Sequence, residues 1–181
     1  MRTTLFAVLA VLILVAGCSL KTQGGMAMSR RDYPRAIELY TQAMTEDPSD
    51  MFAKRKLGQA LFYKGDYAPA ETQFRESLVK IPNDWFSTFY LGLSLIGRGE
   101  RDQGFDVLAG YKNLWGHEEQ RLVLEAVASF RAKTEMPVPE VLSGLEQALA
   151  KAQDAQVQYD RDSASDGGIG GRNEVKYLTP M

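Results

Sequence analysis

Apolar residues follow three different patterns along this chain. Residues 5–16 form an unbroken apolar run, LFAVLAVLILVA, which ends at Gly17-Cys18. From about residue 33 to residue 118 apolar positions recur at steps of three and four, the spacing of one face of a helix. Two further helices are expected within 119–158, one over "EEQRLVLEAVASFRAK" and one over "PEVLSGLEQALAKAQDAQVQ". The second is amphipathic, with Val138, Leu142, Leu145, Leu149 and Ala152 as its seam. From Tyr159 onward, "YDRDSASDGGIGGRNEVKYLTPM" has acids, serines and glycines with almost no periodicity. Such a segment buries too little to offset its ordering entropy, so 159–181 reads as a disordered tail.

Within the middle region the pattern repeats. Tyr33, Ala36, Tyr40, Ala43 and Pro48 return 34 residues later as Tyr67, Ala70, Phe74, Ser77 and Pro82. Leu57-Gly58, Leu61 and Gly65 return at the same interval as Leu91-Gly92, Leu95 and Gly99. Each position has a packing reason. Gly58 has no side chain to hold a neighbouring helix away, Ala70 sets the spacing of the second helix, and Phe74 fills the space one turn on. Gly65-Asp66 makes the turn, and Pro82 stops the second helix.

This 34-residue pattern resembles the tetratricopeptide repeat, over a full unit in "KLGQALFYKGDYAPAETQFRESLVKIPND" and over half of one in "DYPRAIELYTQAMTEDPSD". The resemblance implies an all-α fold, a short solenoid of helical hairpins over 18–118 with C-terminal capping helices over 119–158. The first unit's leading helix has only about Leu20 to Arg30 to form from, and is expected to be truncated and frayed. The third unit departs from the pattern, with Arg101 for tyrosine, Gly104 for alanine and Gly116 for proline, and reads as degenerate. A repeat array exposes apolar surface at its open end, which the last helices are expected to cap; a dimerisation helix is the alternative.

The apolar run at 5–16 follows Arg2 and has 12 residues. That length suits the core of a signal peptide and falls short of the about 20 residues of a transmembrane helix. A buried core helix or a short membrane anchor would leave unexplained why a small-residue pair ends at a cysteine. Val15-Ala16-Gly17-Cys18 resembles the bacterial lipoprotein signal. The resemblance implies cleavage of residues 1–17 and acylation of Cys18, the only covalent group expected. Ser19 after the cysteine then favours the outer membrane, facing the periplasm, with the periplasmic leaflet of the inner membrane as the alternative.

Composition narrows the function. The chain of 181 residues carries 21 Lys+Arg and 23 Asp+Glu, so no basic excess argues for nucleic acid. Cys18 is the only cysteine and His117 the only histidine, so no disulfide and no cysteine–histidine metal set is expected. No catalytic constellation stands out, and the chain reads as a binding protein rather than an enzyme. His117 reads as a surface or capping residue, Glu71 and Glu76 as exposed charges, and Lys54-Arg55-Lys56 as a solvated positive turn. The Gly-rich stretch 167–171 lacks the Lys-Ser/Thr pair and flanking elements of a phosphate loop.

In the tetratricopeptide family the first helix of each hairpin lines a concave groove. That resemblance assigns Phe52, Arg55, Gln59, Phe62, Phe86, Phe89, Leu93 and Ile96 to a partner-binding groove. With Leu91, Gly92 and Leu95, the 86–96 helix is apolar nearly all round, so something covers it: the chain's own C-terminal helix, a partner's helix or extended segment, or acyl chains. Phe86 and Phe89 stand where a carboxylate-gripping groove would be polar, which speaks against that mode. Short repeat lipoproteins of this kind resemble adaptors in pilus, secretion and other outer-membrane machines. A scaffold that recruits cell-wall hydrolases is the alternative.

Overall fold

A computed structural model describes residues 19–165. The apolar leader, Cys18, the Gly-rich stretch and the terminal "EVKYLTPM" lie outside the described residues. Among the described residues there are eight helices and no strand: α1 (Leu20–Ser29), α2 (Tyr33–Glu46), α3 (Met51–Lys64), α4 (Tyr67–Lys80), α5 (Trp85–Gly97), α6 (Arg101–Ala109), α7 (His117–Arg131) and α8 (Val138–Ser165). Each helix packs against the next, so α1–α2, α3–α4, α5–α6 and α7–α8 form successive hairpins, and α8 also reaches back to α5. The fold is all-α and built from stacked helical hairpins. No described helix is long and apolar enough to cross a membrane.

The 34-residue period is visible in the backbone. Asp32, Asp66 and Glu100 donate their N–H groups to the carbonyls of Ala27, Leu61 and Leu95, each at 2.9 Å, which satisfies the orphan acceptors at the ends of α1, α3 and α5. The residue before each donor is left-handed: Arg31 (φ 59°), Gly65 (φ 90°) and Gly99 (φ 91°). At the opposite helix ends, Asp50 and Asp84 accept from the N–H groups of Ala53 (3.0 Å) and Ser87 (3.1 Å), starting α3 and α5.

The first hairpin is a packed copy of the next two, contrary to the frayed helix expected there. Gly24, Gly58 and Gly92 lie under Tyr40, Phe74 and Leu108, and a Cβ on any of them would stand 2.7, 2.9 or 2.5 Å from that side chain. In all three hairpins the ring or branched chain of the second helix occupies the space a glycine leaves in the first. Gly104, read from the sequence as decay of the repeat, has a packing role as well. A Cβ there would stand 2.6 Å from the Gly92 carbonyl oxygen, so two glycines bring α5 and α6 together backbone to backbone.

The main core centres on α5, with Phe89, Leu93, Leu95 and Ile96 buried among Phe74, Phe105, Leu108 and the α8 residues Val141, Leu142, Leu145 and Leu149. Each such side chain contributes about 1.5–3 kcal/mol on burial before the entropy of ordering it. The expected seam of α8 therefore meets the chain's own α7 and α5. The helix also runs further than the sequence pattern suggested. Residues 159–165 are helical, because the side-chain amides of Gln156 and Gln158 bond to Asp160 (2.8 Å) and Asp162 (2.6 Å) one turn on.

Candidate functional site

α3 and α5, the first helices of the second and third hairpins, lie side by side, and α8 packs on α5 and reaches α3 through a side-chain contact. The tie is a chain of hydrogen bonds. Tyr63 of α3 donates to Glu146 Oε1 of α8 at 2.6 Å, its hydroxyl lies 3.1 Å from that of Tyr90 on α5, and Gln59 Nε2 donates to the Tyr90 hydroxyl at 2.9 Å. With Tyr90 donating to Tyr63, each hydroxyl both gives and receives one bond, so the buried Tyr90 and half-buried Tyr63 hydroxyls are satisfied. Burial raises the Tyr63 phenol above its usual range and the Tyr90 phenol to about 12. Burial also raises the Glu146 carboxyl, against the opposite pull of its two phenol neighbours. α8 thus covers the C-terminal half of the expected groove.

The N-terminal half stays open. Phe52, Arg55, Lys56, Trp85 and Phe86 line a depression of about 280 Å³ between the first turns of α3 and α5. Its floor is built from charge and ring contacts. Asp84, which caps α5 and is buried, accepts from Arg55 Nη1 at 2.7 Å through one oxygen and from Ser87 through the other. Held there, the Arg55 guanidinium stands 5.8 Å from the Phe86 ring centre. The Lys56 ammonium stands 4.8 Å from the same ring and donates to Gln59 Oε1 at 2.9 Å. Burial, with Arg55 beside it, holds the Lys56 ammonium below the usual lysine range. Phe52 is 44% exposed at the mouth.

The expected groove residues therefore divide. Phe52, Arg55 and Phe86 line the open depression, and Gln59 lies beneath it in the hydrogen-bond chain. Phe62, Phe89, Leu93 and Ile96 are corrected to core residues: each is buried, Phe62 against the rings of Tyr63, Tyr67 and Tyr90, the others under α6 and α8. Lys54-Arg55-Lys56 is corrected too. Rather than a solvated turn, it sends Lys54 to Glu76 (2.6 Å), Arg55 to Asp84 and Lys56 over Phe86. Glu71 is also more than an exposed charge, since it bridges Arg75 on α4 and Arg98 at the end of α5. His117 opens α7 and is exposed.

Sequence reasoning missed Lys56, Trp85, Tyr63, Tyr90 and Glu146. Trp85 had a signal, since it follows a capping aspartate one period after Met51, and Phe52 and Phe86 are themselves one period apart. Glu146 had none: it stands 83 residues from Tyr63. Among the described residues no group of three or more His, Cys, Asp or Glu side chains is placed to hold a metal ion. What the site offers is an open aromatic floor with two cations at its edge, suited to an apolar side chain flanked by an acceptor. No family model, no curated protein and no solved structure matches this chain.

Proposed function

We propose that this chain is a tetratricopeptide-type lipoprotein that serves as a protein-binding adaptor, held to the periplasmic face of the outer membrane by acyl chains on Cys18. The three-fold recurrence of Gly24/Gly58/Gly92 and of the left-handed turns at Arg31/Gly65/Gly99 supports the repeat type. The observation that carries the adaptor reading is the open depression at Phe52, Arg55, Lys56, Trp85 and Phe86. α8 fills the rest of the groove, so the partner contributes a short segment, an apolar or aromatic side chain seated on Phe86 with a carboxylate or carbonyl at Lys56. Assembly of a pilus, secretion system or other outer-membrane machine is the role that fits such an adaptor.

The test is site-specific photocrosslinking in membranes. A crosslinker at Phe52 should trap one dominant protein, and Lys56→Glu should remove that adduct, whereas a crosslinker at Thr72 on the exposed side of α4 should not form it. The same adducts from both positions would refute the depression as the binding site.

A further inference from the structure

The described chain begins at Ser19, the cap of α1, and this end of α1 lies beside the α2–α3 connection, where Lys21 Nζ meets Asp50 Oδ2 at 2.8 Å. Because the helices alternate in direction, one edge of the stack collects the N-termini of α1, α3, α5 and α7 with the connections that precede them. Gln156 of α8 reaches that edge too, its amide oxygen accepting from the N–H groups of Glu118 (2.9 Å) and Glu119 (3.2 Å).

Exposed apolar side chains gather along this edge. Val79 and Ile81 stand at the end of α4 where the α4–α5 connection begins, Leu114 and Trp115 tip the α6–α7 connection, and Val157 and Tyr159 follow Gln156. Phe52 adjoins them in the first turn of α3. Among the described residues only one other large hydrophobic side chain is exposed, Met26 within α1. The opposite edge, at 30–32, 65–66, 98–100 and 132–135, exposes charges of both signs instead, among them Arg30, Arg31, Asp32, Arg98, Lys133 and Glu135.

The most exposed of these side chains stands on a held backbone. Trp115 is 92% exposed, yet its N–H donates to Asn113 Oδ1 at 3.2 Å. Asn113 in turn donates its N–H to Gln120 Oε1 and its side-chain amide to Glu119 Oε1, each at 2.9 Å, and Tyr111 donates to the same buried Glu119 carboxylate. The loop presents an indole to its surroundings from a fixed position, which suits a ring that rests at a membrane–water boundary.

We propose that this edge rests on a lipid surface, with Trp115, Leu114, Ile81 and Val79 entering the boundary between headgroups and acyl chains. The occupant follows from the chain itself. Cys18 directly precedes Ser19, and a trans peptide keeps consecutive Cα atoms about 3.8 Å apart, so an acyl anchor there leaves no linker between membrane and fold. The inference rests on the proposed reading of Cys18, although the apolar run 5–16, if retained, would bring a membrane to the same edge. Charges along the edge are mixed, Lys80 and Lys112 against Glu46 and Asp47, so contact comes from insertion rather than from attraction to anionic lipid. The polar end of α8, from Asp160 on, lies among the headgroups. The depression at Phe52 and Trp85 opens near this edge, so a bound partner segment lies next to the membrane.

The test uses the full chain, produced in bacteria with labelled palmitate and reconstituted in phosphatidylcholine vesicles with or without bromine on the acyl chains. Trp115 emission, isolated by difference from Trp115→Phe, should be mostly lost to brominated lipid and unaffected by salt. Thr134→Trp, on the opposite edge in the Trp115→Phe background, should keep its emission. Unquenched Trp115 on vesicle-bound protein overturns the proposal whether or not palmitate is incorporated, as does equal quenching at position 134. Quenched Trp115 without palmitate leaves the edge contact standing and overturns only the acyl anchor.

Discussion

Arg31 occupies a left-handed position that glycine holds in the next two hairpins, and the difference has a measurable thermodynamic consequence. With φ at 59°, its Cβ crowds the neighbouring backbone, a strain of about 1–2 kcal/mol for a side chain other than glycine. Glycine relieves that strain but leaves the unfolded chain about 0.5–1 kcal/mol more conformational freedom to lose. Arg31→Gly should therefore stabilise the fold by a net ~0.5–1 kcal/mol, about 1–4 °C in Tm for a domain of this size. The reverse experiment is at Gly65 and Gly99, where an added Cβ meets nothing within 4 Å, so Gly65→Ala sets backbone strain against unfolded-state freedom with no clash added. That variant should lose a net ~0.5–1 kcal/mol, the mirror of the gain at Arg31. Urea unfolding of the chain from Ser19 onward, followed by far-UV circular dichroism, should show shifted midpoints with unchanged m-values. A destabilised Arg31→Gly or a neutral Gly65→Ala would refute the equivalence of the three turns, and with it the first hairpin as a copy of the next two.

Other consequences are open to the same kind of measurement. Gly92→Ala places a Cβ 2.5 Å from Leu108 Cγ and 2.9 Å from the Gly104 carbonyl oxygen, and should cost about 1–3 kcal/mol in urea unfolding; a neutral result would mean that α5 and α6 separate freely. The raised Glu146 carboxyl holds its proton to higher pH when folded than when unfolded, so its contribution falls as pH rises from the ordinary value of 4.5 through the raised folded value. Glu146→Gln should flatten that slope in a pH series of unfolding midpoints, and an unchanged slope would place its origin elsewhere. Phe89→Asp should cost about 4 kcal/mol or more because a buried ring is replaced by a charge, whereas Phe52→Asp should stay within about 0.5 kcal/mol and act on partner capture alone. If Phe52→Asp unfolds the protein, the depression is structural.

Much of the architecture was legible because hairpin packing writes its own period. A glycine under a large side chain, a small residue one turn before that side chain, and a left-handed turn recur together in the first three hairpins. Gly24 carried the same signal one period before Gly58, but Gln23 stands where Leu57 and Leu91 stand, and a short helix has few other marks. Gly104 misled because a contact between two backbones looks, in a sequence, like a missing side chain. The groove was only half legible. Phe86 and Phe89 are alike in one dimension, and only the packing around α5 decides which of them is covered, Phe89 lying against Tyr111.

The amino-acid sequence by itself determined most of the helices, their pairing and the interval at which they repeat, since these depend on contacts within or between neighbouring elements. It also marked Cys18 and the apolar run before it. Only the tertiary structure decided that α8 packs on α5 and reaches α3, that Tyr63, Tyr90 and Glu146 meet, and that the exposed apolar side chains share one edge with Ser19. These are encounters between residues far apart in the chain, set by the stacking of whole helices, and no local periodicity records them.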